Sequence, residues 1–170
     1  YALMGSFSPK VKNILAFSIL FISLFLAYRG IEAYQDVRLP GVLQRIAIVY
    51  FVVSLLYLKT SLKTQIITGV VLLLGYWALM TLVPVPGIGE ANLEKGTNLA
   101  SWLDSILLKG HMYSGTVTWD PEGILSTIPS IVNGIIGLLI GQLLQQNLSK
   151  TKKVQNMAIA GVLLIIGGLL

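Results

Sequence analysis

The chain lacks cysteine, has a single histidine and carries few charges. The absence of cysteine excludes disulfide frameworks, thiol nucleophiles and thiolate metal sites within these 170 residues, and one histidine excludes a metal cluster built from histidines. Charged residues make up 11% of the sequence, whereas soluble domains contain about 25%. Hydrophobic residues reach 55%, and the mean hydropathy is +0.80. This composition indicates an integral membrane protein.

Five apolar blocks are long enough to cross a bilayer as helices. A helix rises about 1.5 Å per residue, so roughly 20 residues cross about 30 Å of hydrocarbon. The alternation of a transmembrane β-barrel is absent. The sequence therefore predicts an all-α fold, a polytopic transmembrane helix bundle in one domain, 1–170. Its predicted spans are residues 13–28, 41–58, 66–85, 123–144 and 154–170.

The two ends of the chain look unlike those of a whole protein. The first residue is Tyr1 rather than methionine, and the last block stops at Leu170 while still apolar. We therefore expect the chain to be a fragment of a larger bundle.

Lysine and arginine are distributed unevenly among the connecting segments. With a cytoplasmic N-terminus, the inner segments hold lysines and no acid, and the outer segments hold all 7 acids. The positive-inside rule favours this orientation, so the net charge of +5 indicates topology and contact with anionic lipid, not a nucleic-acid partner. The inner lysines are Lys10, Lys12, Lys59, Lys63, Lys150, Lys152 and Lys153; the outer charges are Arg29, Arg38, Lys95, Lys109, Glu32, Asp36, Glu90, Glu94, Asp104, Asp120 and Glu122.

The longest connection, residues 86–122, lies on the predicted outer side. A connection of this length without structure of its own is uncommon unless it is functional. Residues 98–108 predict a short amphipathic helix at the membrane interface. Trp102 and Trp119 would lie at the headgroups, where they could be no more than aromatic anchors.

Arg45 is the charged residue that lies well inside an apolar block. A charge within the membrane is costly and is a functional hypothesis by default, although Arg45 could also snorkel to the outer headgroups. Gln44 beside it adds a second polar group. The second and fourth spans both begin at the outer face. If those two helix ends are neighbours, their free N–H groups could hold an oxyanion or a sugar hydroxyl.

His111 is the single histidine and lies in the outer loop. Histidine titrates near neutrality and suits general base chemistry, although an ordinary loop histidine would look the same. Asp104, Asp120 and Glu122 are its candidate partners. Asp120-Pro-Glu-Gly123 also predicts the start of the fourth span, with Asp120 as its N-cap, and capping alone would explain it.

Small and polar residues form a stripe along the fourth span. Small residues on one face let helices approach closely, so the stripe predicts close packing or a homo-oligomer interface. Its upper half, Ser126, Ser130 and Asn133, could instead line a polar tunnel, and Pro129 predicts a kink there. The stripe consists of Gly123, Ser126, Ser130, Asn133, Gly134, Gly137 and Gly141.

Four strings carry a family resemblance that extends from about Val11 to Leu144. They are Arg38–Phe51 (RLPGVLQRIAIVYF), Trp77–Gly87 (WALMTLVPVPG), Gly110–Tyr113 (GHMY) and Trp119–Ile128 (WDPEGILSTI). In order and spacing they resemble the heparan-α-glucosaminide N-acetyltransferase family, and the Trp77–Gly87 string resembles its bacterial branch.

The resemblance implies a multi-span enzyme that moves acetyl from cytoplasmic acetyl-CoA to the amine of a glucosamine-type sugar across the membrane. The far side would be the periplasm, so the resemblance implies a bacterial inner-membrane protein. It implies no metal cofactor. Substrate contacts would fall to Arg45, Gln44, His111, Asp120 and Glu122. The family's catalytic histidine precedes an earlier span and has no counterpart here, because His111 matches a different family histidine. We therefore expect this fragment alone to be inactive.

Two other classes of function remain open from the residues. A transporter or permease for a sugar or lipid headgroup would also use polar residues within the membrane and helices interrupted by glycine or proline. A scaffold for other membrane subunits would use the glycine stripe as its interface.

Overall fold

A computed structural model describes residues 8–28 and 38–169 of the chain, and Arg29, Glu32, Asp36 and Leu170 lie outside them. The described residues form six α-helices and no strand. The fold is a transmembrane helix bundle, as predicted. The helices are α1 (Pro9–Tyr28), α2 (Val42–Lys59), α3 (Leu62–Leu82), α4 (Leu99–Leu107), α5 (Thr127–Gln145) and α6 (Lys150–Leu169).

Three of the described helices, α2, α3 and α5, are long and apolar enough to cross a membrane. Helix α5 packs against both α3 and α2. Large apolar side chains remain exposed, such as Leu43 at 79% and Leu82 at 66%. Apolar exposure on this scale suits a surface that meets lipid rather than water. The chain is therefore an integral membrane protein.

Helices α2 and α3 form an antiparallel hairpin joined by Thr60 and Ser61. The Thr60 hydroxyl donates to the Leu56 carbonyl at 2.6 Å, which satisfies a carbonyl at the end of α2. Ser61 caps α3 by accepting from the Thr64 N–H at 3.3 Å. Along α5, Ser126 and Gly134 lie beside Arg45 and Val53 of α2, whereas Ile135 and Gln142 lie beside Gly69 and Gln65 of α3. Helices α2 and α3 therefore run in opposite directions.

A buried glutamine fixes the hairpin to α5. Gln65 is 2% exposed, and its side-chain oxygen accepts from Gln142 at 2.7 Å. Its amide donates to the carbonyls of Leu56 and Thr60 at 3.4 and 3.3 Å. All of these bonds lie among apolar helices, where an unsatisfied amide would be costly. We call this end of the bundle the Gln65 end.

The opposite end of the bundle, which we call the Arg45 end, holds the connection between α3 and α5. Helix α4 confirms the predicted amphipathic helix, and Asn98 caps it by accepting from the Ser101 N–H at 2.9 Å. A small apolar core formed by Met80, Val85 and Leu99 packs α4 against the end of α3. Residues 83–126 are thereby held as a folded cap on the helices.

Helix α5 begins at Thr127, four residues later than the block 123–144 predicted. Its N-cap is Ser126, so the prediction of Asp120 as N-cap is wrong. The Asp120 carboxylate instead accepts from the Glu122 N–H two residues on, which closes a turn before the helix. Pro129 falls in the first turn, where its missing N–H costs no intrahelical bond.

Candidate functional site: a groove headed by Arg45

The starts of α2 and α5 lie side by side at the Arg45 end. Arg45 lies in the first turn of α2, and its Nη2 donates to the Pro121 carbonyl at 2.8 Å and to the Ser126 hydroxyl. Ser126 is the N-cap residue of α5. The two helix N-termini are therefore neighbours, which is the condition set by the sequence for a shared anion or hydroxyl site.

An open groove of about 690 Å³ runs between α2 and α5. It extends from Arg45 to Leu58, about 20 Å along α2 at 1.5 Å per residue. Its walls are mostly apolar, and its polar groups come from Arg45 and a few hydroxyl and amide side chains. The lining residues are Arg45, Ile46, Val49, Tyr50, Val53, Ser54, Tyr57, Leu58, Ser130, Asn133, Gly134 and Leu138.

Arg45 keeps one donor uncommitted at the head of this groove. Its Nε is buried and has no hydrogen-bond partner among the described residues. A buried donor without a partner costs about 1–3 kcal/mol, and more when the group is charged. An acceptor on a bound molecule would remove that cost. Because Arg45 also lines the groove, its guanidinium is a candidate ligand-binding group among the described residues.

Arg38 joins the segment before α2 to the turn before α5. Its Nε donates to Asp120 Oδ2 at 3.0 Å, its Nη2 donates to Asp120 Oδ1 at 2.6 Å, and Nη2 also contacts Glu122. The guanidinium lies 4.7 Å from the centre of the Tyr113 ring, within cation–π range. The Asp120 side chain is 0% exposed, so this bidentate pair is largely withdrawn from solvent.

Hydrogen bonds keep Asp120 ionised. Burial favours the neutral acid, but Arg38 and the N–H groups of Glu122 and Tyr113 outweigh it, so the pKa of Asp120 lies below its ordinary 3.8. The Tyr113 N–H donates at 2.6 Å and the Glu122 N–H at 2.9 Å. The hydrogen bonds to Asp120 in turn raise the pKa of Arg38 above its ordinary value.

Asp104 reaches the same turn from α4. It is 2% exposed, and its carboxylate accepts from the Ile124 N–H at 3.0 Å and the Asp120 N–H at 3.4 Å. A Cβ at Gly123 would lie 2.6 Å from its Cγ, so only glycine fits there. Burial raises the pKa of Asp104, against the two N–H bonds that lower it. Asp104, on α4, thus holds residues 120–124 in place.

The residues predicted to bind substrate occupy different environments. Arg45 heads the groove, whereas Gln44 is exposed beside Gly41 and does not line it. His111 is half-buried, and its carbonyl accepts from the Leu39 N–H at 2.9 Å, next to the start of α2. Asp120 and Glu122 both contact Arg38, and Glu122 keeps 17% of its side chain exposed.

Two of the three predicted tunnel residues, Ser130 and Asn133, line the groove. The third, Ser126, contacts Arg45 at its head. The sequence did not assign a site role to Arg38. Asp104 stood only as a partner for His111, whereas its carboxylate accepts from two backbone N–H groups. No local pattern marks either residue, because their partners lie 16 to 84 residues away.

The glycine stripe contains one close helix contact. A Cβ at Gly134 would lie 2.7 Å from Val49 Cγ1 and 2.8 Å from Val53 Cγ2, so this glycine lets α2 approach α5. A Cβ at Gly137 or Gly141 would meet nothing within 4 Å among the described residues. The predicted close packing therefore holds at Gly134 and not at the other two, and a homo-oligomer interface stays a prediction.

Fold and site together define a membrane helix bundle with an arginine-headed groove. No family model matches the chain. Heparan-α-glucosaminide N-acetyltransferase of Homo sapiens is 30% identical, and the match covers 74% of this chain and 25% of that protein. The Mus musculus protein of the same name is 31% identical, covering 74% of this chain and 26% of its own length. Over most of its length the chain is similar to these heparan-α-glucosaminide N-acetyltransferases, and it spans about a quarter of the length of these curated relatives.

Proposed function

We propose that the protein carrying this chain is a membrane acetyltransferase, which moves acetyl from acetyl-CoA to the amine of a glucosamine-type sugar. The observation that carries the proposal is the Arg45 guanidinium at the head of the groove, whose buried Nε has no hydrogen-bond partner among the described residues. Its relatives are named for N-acetyl transfer to a glucosaminide. Both substrates offer oxygen acceptors that such a donor can bind.

The charge distribution supports a direction for this transfer. The Gln65 end holds Lys59, Lys63 and the lysines at the start of α6, whereas the Arg45 end holds the carboxylates. By the positive-inside rule the Gln65 end faces the cytoplasm, which supplies acetyl-CoA. The N-terminus is then cytoplasmic, and the Arg45 end faces the amino sugar. The resemblance of the Trp77–Gly87 string to the bacterial branch supports a bacterial inner membrane.

The geometry assigns different tasks to the two carboxylates at the groove's head. Both oxygens of Asp120 are engaged by Arg38 and backbone N–H groups, so Asp120 shapes the turn rather than meeting the amine. Glu122 is the carboxylate of this pair with an exposed portion, so it can attract a sugar ammonium group. Ser130 and Asn133 offer hydrogen bonds further along the groove.

Acetyl transfer requires the amine to lose a proton before its nitrogen attacks the acetyl carbonyl carbon. The C–N bond forms as the C–S bond breaks, and CoA leaves as a thiolate that takes up a proton. A base must therefore stand near the amine. His111 is the one histidine of this sequence, and its carbonyl accepts from the Leu39 N–H beside the start of α2. The resemblance implies a catalytic histidine outside this chain, so we assign His111 no catalytic step.

Membranes that contain the full-length protein provide the test, with labelled acetyl-CoA and glucosamine as substrates. We expect labelled N-acetylglucosamine, and a loss of about tenfold or more in kcat/KM for Arg45→Gln, the value of one charged hydrogen bond. Lys109→Gln removes an exposed cation near the same end and should leave the rate unchanged. A folded protein that transfers no acetyl from acetyl-CoA to glucosamine would contradict the proposal. Uptake of unmodified glucosamine would instead indicate a transporter.

A further inference from the structure

The turn that contacts Arg45 is itself held by a residue that does not line the groove. Asp104 is 2% exposed and does not line the groove. Its two oxygens accept from the N–H groups of Asp120 and Ile124, at the two ends of one turn. Because both bonds are made to a single rigid carboxylate, they fix the distance and angle between the ends of that turn.

The turn held by Asp104 carries the acceptor that orients Arg45. Pro121 lies between the two residues that Asp104 binds, and its carbonyl accepts from Arg45 Nη2 at 2.8 Å. Ser126, the second acceptor of that nitrogen, also donates to the Pro121 carbonyl, at 3.3 Å, and to the Gly123 carbonyl, at 3.0 Å. A shift of the turn would therefore move both groups that hold the guanidinium.

We propose that Asp104 is a positioning residue for ligand binding, which acts through the turn 120–124 to hold the Arg45 guanidinium at the head of the groove. This inference rests on the proposed role of Arg45 as a substrate contact. Asp104 touches no reacting atom. Its carboxylate accepts from two N–H groups at once. Asparagine has one acceptor oxygen and one NH₂ donor, so it can keep only one of these two hydrogen bonds.

The kinetic test compares Asp104→Asn, Arg45→Gln and the double variant in the full-length protein. We expect Asp104→Asn to raise KM about tenfold or more for the substrate whose KM Arg45→Gln also raises, with kcat reduced much less. The double variant should be no worse than Arg45→Gln alone, because Asp104 acts through Arg45. Glu90→Gln, at an exposed acid of the same connection, is the matched control.

Multiplying effects in the double variant would overturn the proposal, because they would show that Asp104 supports the fold independently of Arg45. A loss confined to kcat would also overturn it. Circular dichroism and elution from size exclusion establish that each variant is folded. Asp104→Glu keeps two acceptor oxygens, so we expect its KM to rise less than the KM of Asp104→Asn.

A second measurement needs no acetyl transfer, so it separates this inference from the proposed function. A cysteine introduced as Ser130→Cys lies in the groove one helical turn beyond Ser126, in a chain with no other cysteine. We expect an anionic methanethiosulfonate reagent to label it several-fold faster than a cationic one, because Arg45 attracts the anion. The full-length protein without Ser130→Cys provides the background.

In the Asp104→Asn background that preference should fall to the level seen with Arg45→Gln. Equal rates for both reagents in the parent would overturn the proposal, because Arg45 would then not face the groove. A preference unchanged by Asp104→Asn would overturn it as well. If these labelling ratios behave as expected while no acetyl is transferred, the proposed function fails and the positioning role of Asp104 stands.

Discussion

Gly123→Ala tests the packing under the groove's head. The added Cβ would lie 2.6 Å from both Cγ and Oδ1 of Asp104, about 1 Å closer than an ordinary contact. Gly123 does not have a positive φ, so alanine suits its backbone and the cost comes from the contact alone. Because Asp104 Oδ2 lies closer still to this Cβ, the carboxylate must move by more than about 1 Å, which breaks at least one of its two N–H bonds. One hydrogen bond to a charged group contributes about 1.5–3 kcal/mol, so we expect a destabilisation of about 2 kcal/mol.

A double-mutant cycle isolates this contact. In an Asp104→Ala background the obstructing carboxylate is gone, so Gly123→Ala should cost less than about 0.5 kcal/mol. The coupling energy should therefore be about 1.5 kcal/mol or more, within the range for residues in contact. Equilibrium unfolding in mixed micelles measures the free energy of unfolding of the parent, the two single variants and the double variant. If Asp104→Ala does not fold, Asp104→Ser retains one acceptor and also leaves room for the methyl group.

Gly75→Ala is the matched control, because a Cβ at this position in α3 meets nothing within 4 Å among the described residues. In a helix interior alanine should stabilise by about 0.5–1 kcal/mol relative to glycine. Equal destabilisation by Gly123→Ala with and without the Asp104 carboxylate would refute the reasoning, since the two residues would then not be in contact.

Two further perturbations address the helix contact and the ion pair. Gly134→Ala should cost about 1–3 kcal/mol by forcing Val49 and Val53 away from α5, and Val53→Ala should recover part of it in the same unfolding assay. Asp120→Asn should cost about 2 kcal/mol at neutral pH, because Arg38 loses its charged partner. The folded pKa of Asp120 is depressed, so its contribution is fully present above pH 3.8 and is lost as pH falls through the folded value. The stability difference between parent and Asp120→Asn should therefore shrink below about pH 4, and a difference that grows there would contradict the ion pair.

Hydropathy located α2, α3 and α5, because inside lipid each backbone group must be satisfied within its own helix, although α3 begins four residues earlier than predicted and α5 four residues later. Long apolar runs leave little choice, and α2 differs from the predicted block 41–58 by one residue at each end. The amphipathic α4 was likewise predictable, since Asn98 provides its cap and its apolar positions follow the helical period.

The turn before α5 could not be predicted because its bonding is decided by residues distant in sequence. Asp-Pro-Glu-Gly fits a helix start by local rules, yet Asp120 is bound by Arg38, 82 residues earlier, and the helix begins at Thr127. The burial of Asp104 likewise depends on the turn that folds over it. Local capping preference contributes about 1 kcal/mol, which a buried bidentate ion pair can exceed.

The candidate site was predicted in part. A single charge inside an apolar block is expensive wherever it lies, so Arg45 could be singled out from its position alone. The spacing of Ser130 and Asn133 placed them on one helix face, and both line the groove. The sequence could not show that α2 is the opposite wall, because the glycine stripe gives no sign that Gly134, rather than Gly137 or Gly141, meets another helix.

The most direct test of the central claim is acetyl transfer by the full-length protein after the groove has been filled. Val53→Trp places a large side chain in the groove lining, and Val71→Trp places the same side chain on an exposed face of α3, where Val71 is 61% exposed. We predict at least a tenfold loss of kcat/KM for Val53→Trp and an unchanged rate for Val71→Trp, with both proteins folded in the membrane. Full activity in the Val53→Trp protein would contradict the account, because the groove headed by Arg45 would then hold no part of a substrate.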